Sequence, residues 1–185
     1  MYIDLPTARI FVDTVGSKLD PLDPRNSDRP TLLMLHGGPG YDHTTLRPHF
    51  DRFADIAQVV YFDHRGCGRS GGTPDTWTLD QWADDVADLC QILGVEKPVI
   101  FGQSFGGMVA MRVATRHPDL ASKLILSSTA AHFELEAAVA MARELGGEDA
   151  AIAARALFTD PSLESYANYG KVCLPLYTRT KAPEG

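Results

Sequence analysis

The chain holds only three cysteines, Cys67, Cys90 and Cys173, an odd number without the close pairs that bind zinc or build a disulfide framework. Reduced thiols are expected. Cys90 falls on the apolar face of a helix, and Cys67 is the one weighed for a reactive role. A basic excess is also lacking. The formal net charge of -7 repels nucleic acid and anionic membrane surfaces. The expected partner is a small molecule, a short peptide or a small ester or amide, with no nucleic acid and no membrane. No apolar run approaches the roughly 18 residues of a membrane span, and Met1-Tyr2-Ile3-Asp4-Leu5-Pro6 shows no basic stretch leading into an apolar one. A cytoplasmic protein is the expectation. No cofactor and no metal is implied, and oligomeric state is not legible.

What is present suffices for a core, since 44% of the 185 residues are apolar, and the length suits one ordinary domain. Ala8 to Val15, rich in β-branched and aromatic residues, reads as extended up to Gly16, and residues 17–30 form a polar loop. Thr31-Leu32-Leu33-Met34-Leu35, Gln58-Val59-Val60-Tyr61-Phe62, Pro98-Val99-Ile100-Phe101 and Lys123-Leu124-Ile125-Leu126 lack polar alternation. Such runs predict strands buried on both faces of a parallel sheet.

Helices are expected between them. Thr78 and Gln81 suggest a capping box, and Leu79, Trp82, Ala83, Val86, Leu89, Cys90 and Leu93 share one face before Gly94. Asp80, Asp84, Asp85 and Asp88 are assigned to the opposite, solvated face. The alternation of strand and helix predicts an α/β fold with right-handed crossovers. Beyond Ser128 the texture becomes alanine-rich and helical, with a break at Gly146-Gly147 and a further helix after Asp160-Pro161 running towards Tyr169.

The chemistry concentrates in Gly102-Gln103-Ser104-Phe105-Gly106, which leaves one apolar run and opens a helical one. A serine on such a strand-to-helix turn is a nucleophile elbow. The glycines on either side let the chain pass closely. Acyl transfer to serine also needs a base and amide donors for the oxyanion. His36-Gly37-Gly38-Pro39-Gly40, directly after the Leu35 run, is the second glycine-rich turn and the expected source of one donor. The amide of Phe105, opening the next helix, is the expected partner.

With Phe62-Asp63-His64-Arg65-Gly66-Cys67-Gly68-Arg69-Ser70 between them, these two blocks resemble, in content and order, the α/β-hydrolase family and its proline iminopeptidase branch. The resemblance covers most of residues 8–129. It implies an α/β-hydrolase fold, a mostly parallel sheet with flanking helices that is incomplete at its C-terminal edge. Residues 1–129 would be the N-terminal part of the core and 130–185 the beginning of a helical lid. It further implies Ser104 as nucleophile, the amides of Gly38 and Phe105 as oxyanion hole, and release of N-terminal proline from peptides. The middle block is expected to be structural, with Asp63, Arg65 and Arg69 pinning the loop beside the oxyanion turn.

The base is not found. In the family the acid and the histidine follow the serine in the chain. Here only His117 and His132 do, and thirteen helical residues put His117 roughly 20 Å from Ser104. His132 would begin the lid. His36, His43, His49 and His64 are expected to make ordinary polar contacts. The expectation is an N-terminal portion of a longer serine hydrolase, catalytically poor by itself, with the Lys123 to Leu126 strand left as an open edge. Other readings are a carboxylesterase or lactonase on the same scaffold, and an inert or binding-only relative. Glu134, Glu136, Glu144, Glu148 and Glu164 are candidate lid acids for a substrate amine, none preferred.

Overall fold

The computed structural model describes residues 1–19 and 28–178. Most of the polar loop expected over 17–30 therefore lies outside the described residues, as does the C-terminal segment 179–185. The chain divides into two compact units, Met1–Ala131 and His132–Gly185.

The first unit is built on a sheet of order β1-β2-β4-β3-β5-β6. β1 (Tyr2–Leu5) and β2 (Ala8–Val15) form an antiparallel hairpin, and β2 pairs antiparallel with β4 (Gln58–Phe62). β3 (Thr31–Leu35), β4, β5 (Val99–Gln103) and β6 (Lys123–Ser127) run parallel. The apolar runs are continuous because helices and loops cover the central strands. Leu33, Leu35, Val60 and Ile100 lie in one core with side chains of the two helices, whereas Met34, Val59, Tyr61 and Phe101 form a second cluster. Each fully buried side chain of this size contributes about 1.5–3 kcal/mol. β6 is the sheet edge among the described residues, with Ile125 and Leu126 exposed.

α1 (Leu79–Leu93) buries Trp82, Ala83, Val86, Leu89 and Cys90, and Gly94 closes it in the left-handed region at φ 62°. Two expectations for this helix are corrected. Thr78 Oγ1 accepts the Gln81 N–H at 3.1 Å, but the Gln81 amide donates to Asp85 at 3.2 Å, so only half a capping box forms. Asp85 is not solvated: it is buried, and the Arg65 guanidinium grips it through Nε at 2.8 Å and Nη2 at 2.5 Å. Asp80 and Asp84 instead meet Arg112, Arg116 and His117 of α2 (Phe105–Arg116) and its C-cap.

The second unit is helical. α3 (Leu135–Thr159) is interrupted at Gly147, whose φ of 78° and ψ of -169° break the helix where the glycine pair stands. α4 (Leu163–Val172) starts from a capping box between Ser162 and Ser165. Ala150, Ala151, Ala153, Ala154 and Leu157 of α3 pack with Tyr169 and Cys173, small residues permitting close approach of the helices.

Candidate active site

Ser104 stands between β5 and α2 with φ 52° and ψ -117°, outside the regions open to an unstrained non-glycine residue. Such a backbone costs about 1–3 kcal/mol and must be over-determined by its surroundings. It is. Ser104 N–H donates to Ser127 O of β6 at 2.9 Å, and Ser104 O accepts Gly107 N–H at 2.9 Å and Thr129 Oγ1 at 2.7 Å. The residue itself is exposed while Phe105, Gly106 and Gly107 behind it are buried.

The glycines of the motif each have a steric reason. A side chain on Gly102 would place its first carbon 2.5 Å from Gly106 O, and one on Gly107 would strike Thr129 at 2.5 Å. A side chain on Gly106 would collide with the carbonyl of Leu35, the last residue of β3. The elbow and the turn after β3 are thereby pressed together. A first side-chain carbon on Gly37 would be 3.5 Å from Ser104 Cβ. Gly38, at φ 134°, takes a backbone that L side chains rarely adopt. The fold thus brings together Ser104, Phe105 and the Gly37-Gly38 turn.

Two histidines lie under this junction. His36 Nε2 accepts the backbone N–H of His64 at 3.0 Å, and its Nδ1 faces Gly37 O at 2.6 Å. That pattern fits the neutral ring carrying its proton on Nδ1. Burial pulls the His36 pKa down. His64 is wholly buried between Phe62, Phe105 and His36, with ring centroids at 5.0, 5.4 and 4.4 Å. Neither of its ring nitrogens has a hydrogen-bond partner, and burial drives its pKa well below the ordinary histidine value.

The Arg-rich loop is fastened mainly by backbone donors. Asp63 Oδ1 accepts His43 N–H at 3.0 Å and His43 Nδ1 at 2.6 Å, and Oδ2 accepts Arg69 N–H at 2.8 Å. Arg69's guanidinium lies over the Phe11 ring at 4.8 Å, so its charge does not meet Asp63. Arg65 reaches Thr7 and Asp85. Cys67 Sγ accepts the Gly40 N–H at 3.4 Å, tying this loop to the turn after β3. Burial raises the Cys67 thiol, the reverse of what a reactive thiolate requires. Among the described residues Asp42, His43 and Asp63 bring three ligand-type atoms within 4.8 Å of one another, types that could hold a metal. The Asp63 oxygens are taken up in closing the loop.

A His–Asp pair does exist at His43 and Asp63, but both side chains are buried and the far nitrogen of His43 faces Asp13 at 4.0 Å. His117 binds Asp84 at 2.8 Å. Among the described residues no histidine ring hydrogen-bonds to Ser104 Oγ. The internal packing of His64 and the Cys67 to Gly40 contact escape sequence reasoning, which has no local signal for contacts across 27 or 28 positions.

Comparison with known proteins bears on the family and the fold. The chain is 35% identical over 112 residues to the proline iminopeptidase of Lactobacillus helveticus, a match covering 56% of this chain and 37% of that protein. To the proline iminopeptidase of Saccharolobus solfataricus it is 37% identical over 100 residues, 52% of this chain and 32% of the relative. The matched part thus spans about a third of the length of those relatives. Among solved structures, the proline iminopeptidase-related protein TTHA1809 of Thermus thermophilus superposes with a TM-score of 0.66 at 29% identity, covering 92% of this chain and 54% of that one. A thermophilic esterase of Thermogutta terrifontis gives 0.62 at 26% identity, covering 92% and 63%. A family model described as the alpha/beta hydrolase fold matches residues 30–165. With the sheet order, the strained serine and the two glycine-rich turns, this match makes the chain a member of the α/β-hydrolase family.

Proposed function

We propose that the chain carries the nucleophile and oxyanion hole of a serine hydrolase acting by acyl transfer, in a protein of the proline iminopeptidase type. The observation that carries it is the backbone of Ser104: strained, pinned on both sides, with the residue exposed at the start of a helix. Strain of this kind is kept where it serves a site. Ser104 Oγ adds to the substrate carbonyl carbon as its proton passes to a base, and the base returns that proton to the leaving nitrogen or oxygen as the C–N or C–O bond breaks, which frees the amine or alcohol and leaves an acyl-serine. The amides of Phe105 and Gly38 receive the oxyanion, and one such donor is worth about 2.7–4 kcal/mol in the transition state. Water then releases the acid.

Release of N-terminal proline is supported by the relatives' names and the shared blocks. An esterase is the second reading, favoured by the Thermogutta structure. Of the candidate acids in the helical unit, Glu136 is ion-paired with Arg155 at 2.6 Å and Glu148 with Arg143 at 2.7 Å. Proline p-nitroanilide and p-nitrophenyl acetate distinguish the readings, with the adduct on Ser104 read by intact mass. A prolyl adduct and nitroaniline release assign the peptidase. Acetylation without any prolyl transfer assigns the esterase.

A further inference from the structure

The peptide that joins Gly37 to Gly38 is anchored at one end only. Its carbonyl, Gly37 O, accepts the Nδ1–H of His36 at 2.6 Å. The bond is trans, so the Gly38 N–H points opposite to that carbonyl. His36 is fully buried, and a carbonyl turned inwards to it sends the Gly38 N–H outwards. Ser104 stands beside this peptide, its Cβ 3.5 Å from where a first side-chain carbon on Gly37 would lie. Among the described residues neither the Gly38 N–H nor the Phe105 N–H donates to a protein acceptor.

The ring that holds the carbonyl is itself fixed. His36 Nε2 accepts the His64 backbone N–H at 3.0 Å, which leaves the proton of the neutral ring on Nδ1. The His64 ring packs on it at 4.4 Å between centroids and, having no polar partner, does not compete for either nitrogen. Burial, opposed by the charges of Asp63 and Asp42 and aided by His43, favours the neutral ring.

We infer that His36 is a positioning residue for acyl transfer: by holding Gly37 O, its Nδ1–H aims the Gly38 N–H at the oxyanion formed on Ser104. This role rests on the serine hydrolase proposed above and adds what keeps one oxyanion donor in place. Glycines on both sides permit the peptide to turn over. A flipped peptide would set the Gly37 carbonyl, an acceptor, where the oxyanion forms. A donor already aimed needs no reorganisation when the charge develops.

Two substitutions separate the two contacts of the ring. The amide of His36→Asn stands where Nδ1 stood and still donates to Gly37 O. That of His36→Gln reaches the place of Nε2, accepting the His64 N–H and leaving Gly37 O unheld. Acylation of Ser104 in the whole chain is followed by intact mass with p-nitrophenyl acetate and with its thiono analogue. The analogue puts sulfur, a weak acceptor, where the oxyanion forms. The ester-to-thionoester rate ratio therefore reads the oxyanion donors, while anything that slows both reactions alike cancels. His36→Gln is expected to lower this ratio roughly tenfold or more, and His36→Asn to hold it within about twofold of the parent chain. A role in packing alone predicts equal ratios throughout. In the unaltered chain, long-range ¹⁵N–¹H correlation of the imidazoles, with His36 assigned by its loss in His36→Asn, is expected to show the Nδ1–H tautomer. An Nε2–H tautomer overturns the inference, whether or not the variants fold. So does an unchanged ratio in His36→Gln while Ser104 is still acylated, which leaves the serine hydrolase standing. Failure of both esters to acylate Ser104 in the parent chain removes the serine hydrolase and this role together.

Discussion

Gly106 of α2 lies directly on the carbonyl group of Leu35 at the end of β3, so close that a methyl group could not stand between them. The helix that carries Ser104 and the strand that delivers Gly37-Gly38 are therefore held at one separation by the absence of a side chain.

Gly106→Ala is expected to force that junction apart. Overpacking against backbone costs about 1–3 kcal/mol. The denaturation midpoint should fall accordingly, and reaction at Ser104 should be lost with it. Gly71→Ala is the control, since a side chain there meets Arg9 backbone at ordinary distances of 3.7 and 3.8 Å. Equal stability of the two variants would contradict the steric reading.

The buried Arg65–Asp85 pair should be worth far more when broken than the exposed Arg116–Asp84 pair. Asp85→Ala leaves a guanidinium buried without its partner, at a cost of about 3–5 kcal/mol. Asp84→Ala removes an exposed pair worth about 0–1 kcal/mol. Urea denaturation of both variants measures the contrast.

Stability should fall with acid in the histidine range. His36 and His64 both titrate below their ordinary value because they are buried. The unfolded chain, with histidines near 6.5, then binds more protons than the folded one as the pH drops below about 6.5. Their contribution is present above that pH and is lost as the pH falls towards the lowered folded values. Denaturation midpoints should decline between about pH 7 and pH 5, and His64→Leu should flatten the decline. The carboxylates held low by hydrogen bonds from Thr44, Arg47 and Arg116, namely Asp42, Asp51 and Asp84, titrate in a lower window, whereas burial raises Asp88.

Turnover by the 185-residue chain should be slow. No histidine ring hydrogen-bonds to Ser104 Oγ among the described residues, and loss of the base alone costs subtilisin about a millionfold in turnover. Hydrolysis of an activated aryl ester at the rate of ordinary serine esterases, abolished by Ser104→Ala, would show that a base is at hand after all.

Much of the first unit is legible in sequence because burial on both faces leaves an unbroken apolar run. β3, β4 and β5 are read directly for that reason. β1 is not separated from β2, since four residues of which only Leu5 is buried, followed by a short turn, carry no such signal. Asp85 is misread because charge suggests solvent, although it stands three residues after buried Trp82 and one before buried Val86. Its partner Arg65 comes from a distant loop, and no local pattern reports it. Ser104 is legible since the glycines that permit its backbone are themselves in the motif. The packing of the second unit is less so, because alanine-rich periodicity says which face is apolar without saying what covers it.

The nucleophile is tested most directly by mapping where a phosphonylating reagent reacts. The whole chain is incubated to completion with an alkyl fluorophosphonate, digested and sequenced by mass spectrometry, beside Ser104→Ala. One adduct on Ser104, slow to form because no histidine ring among the described residues hydrogen-bonds to its Oγ, and absent from the variant although the variant keeps its fold, is the expected result. Modification spread over other serines, or equal labelling of the variant, would show that the strained turn is a structural corner and not an active site.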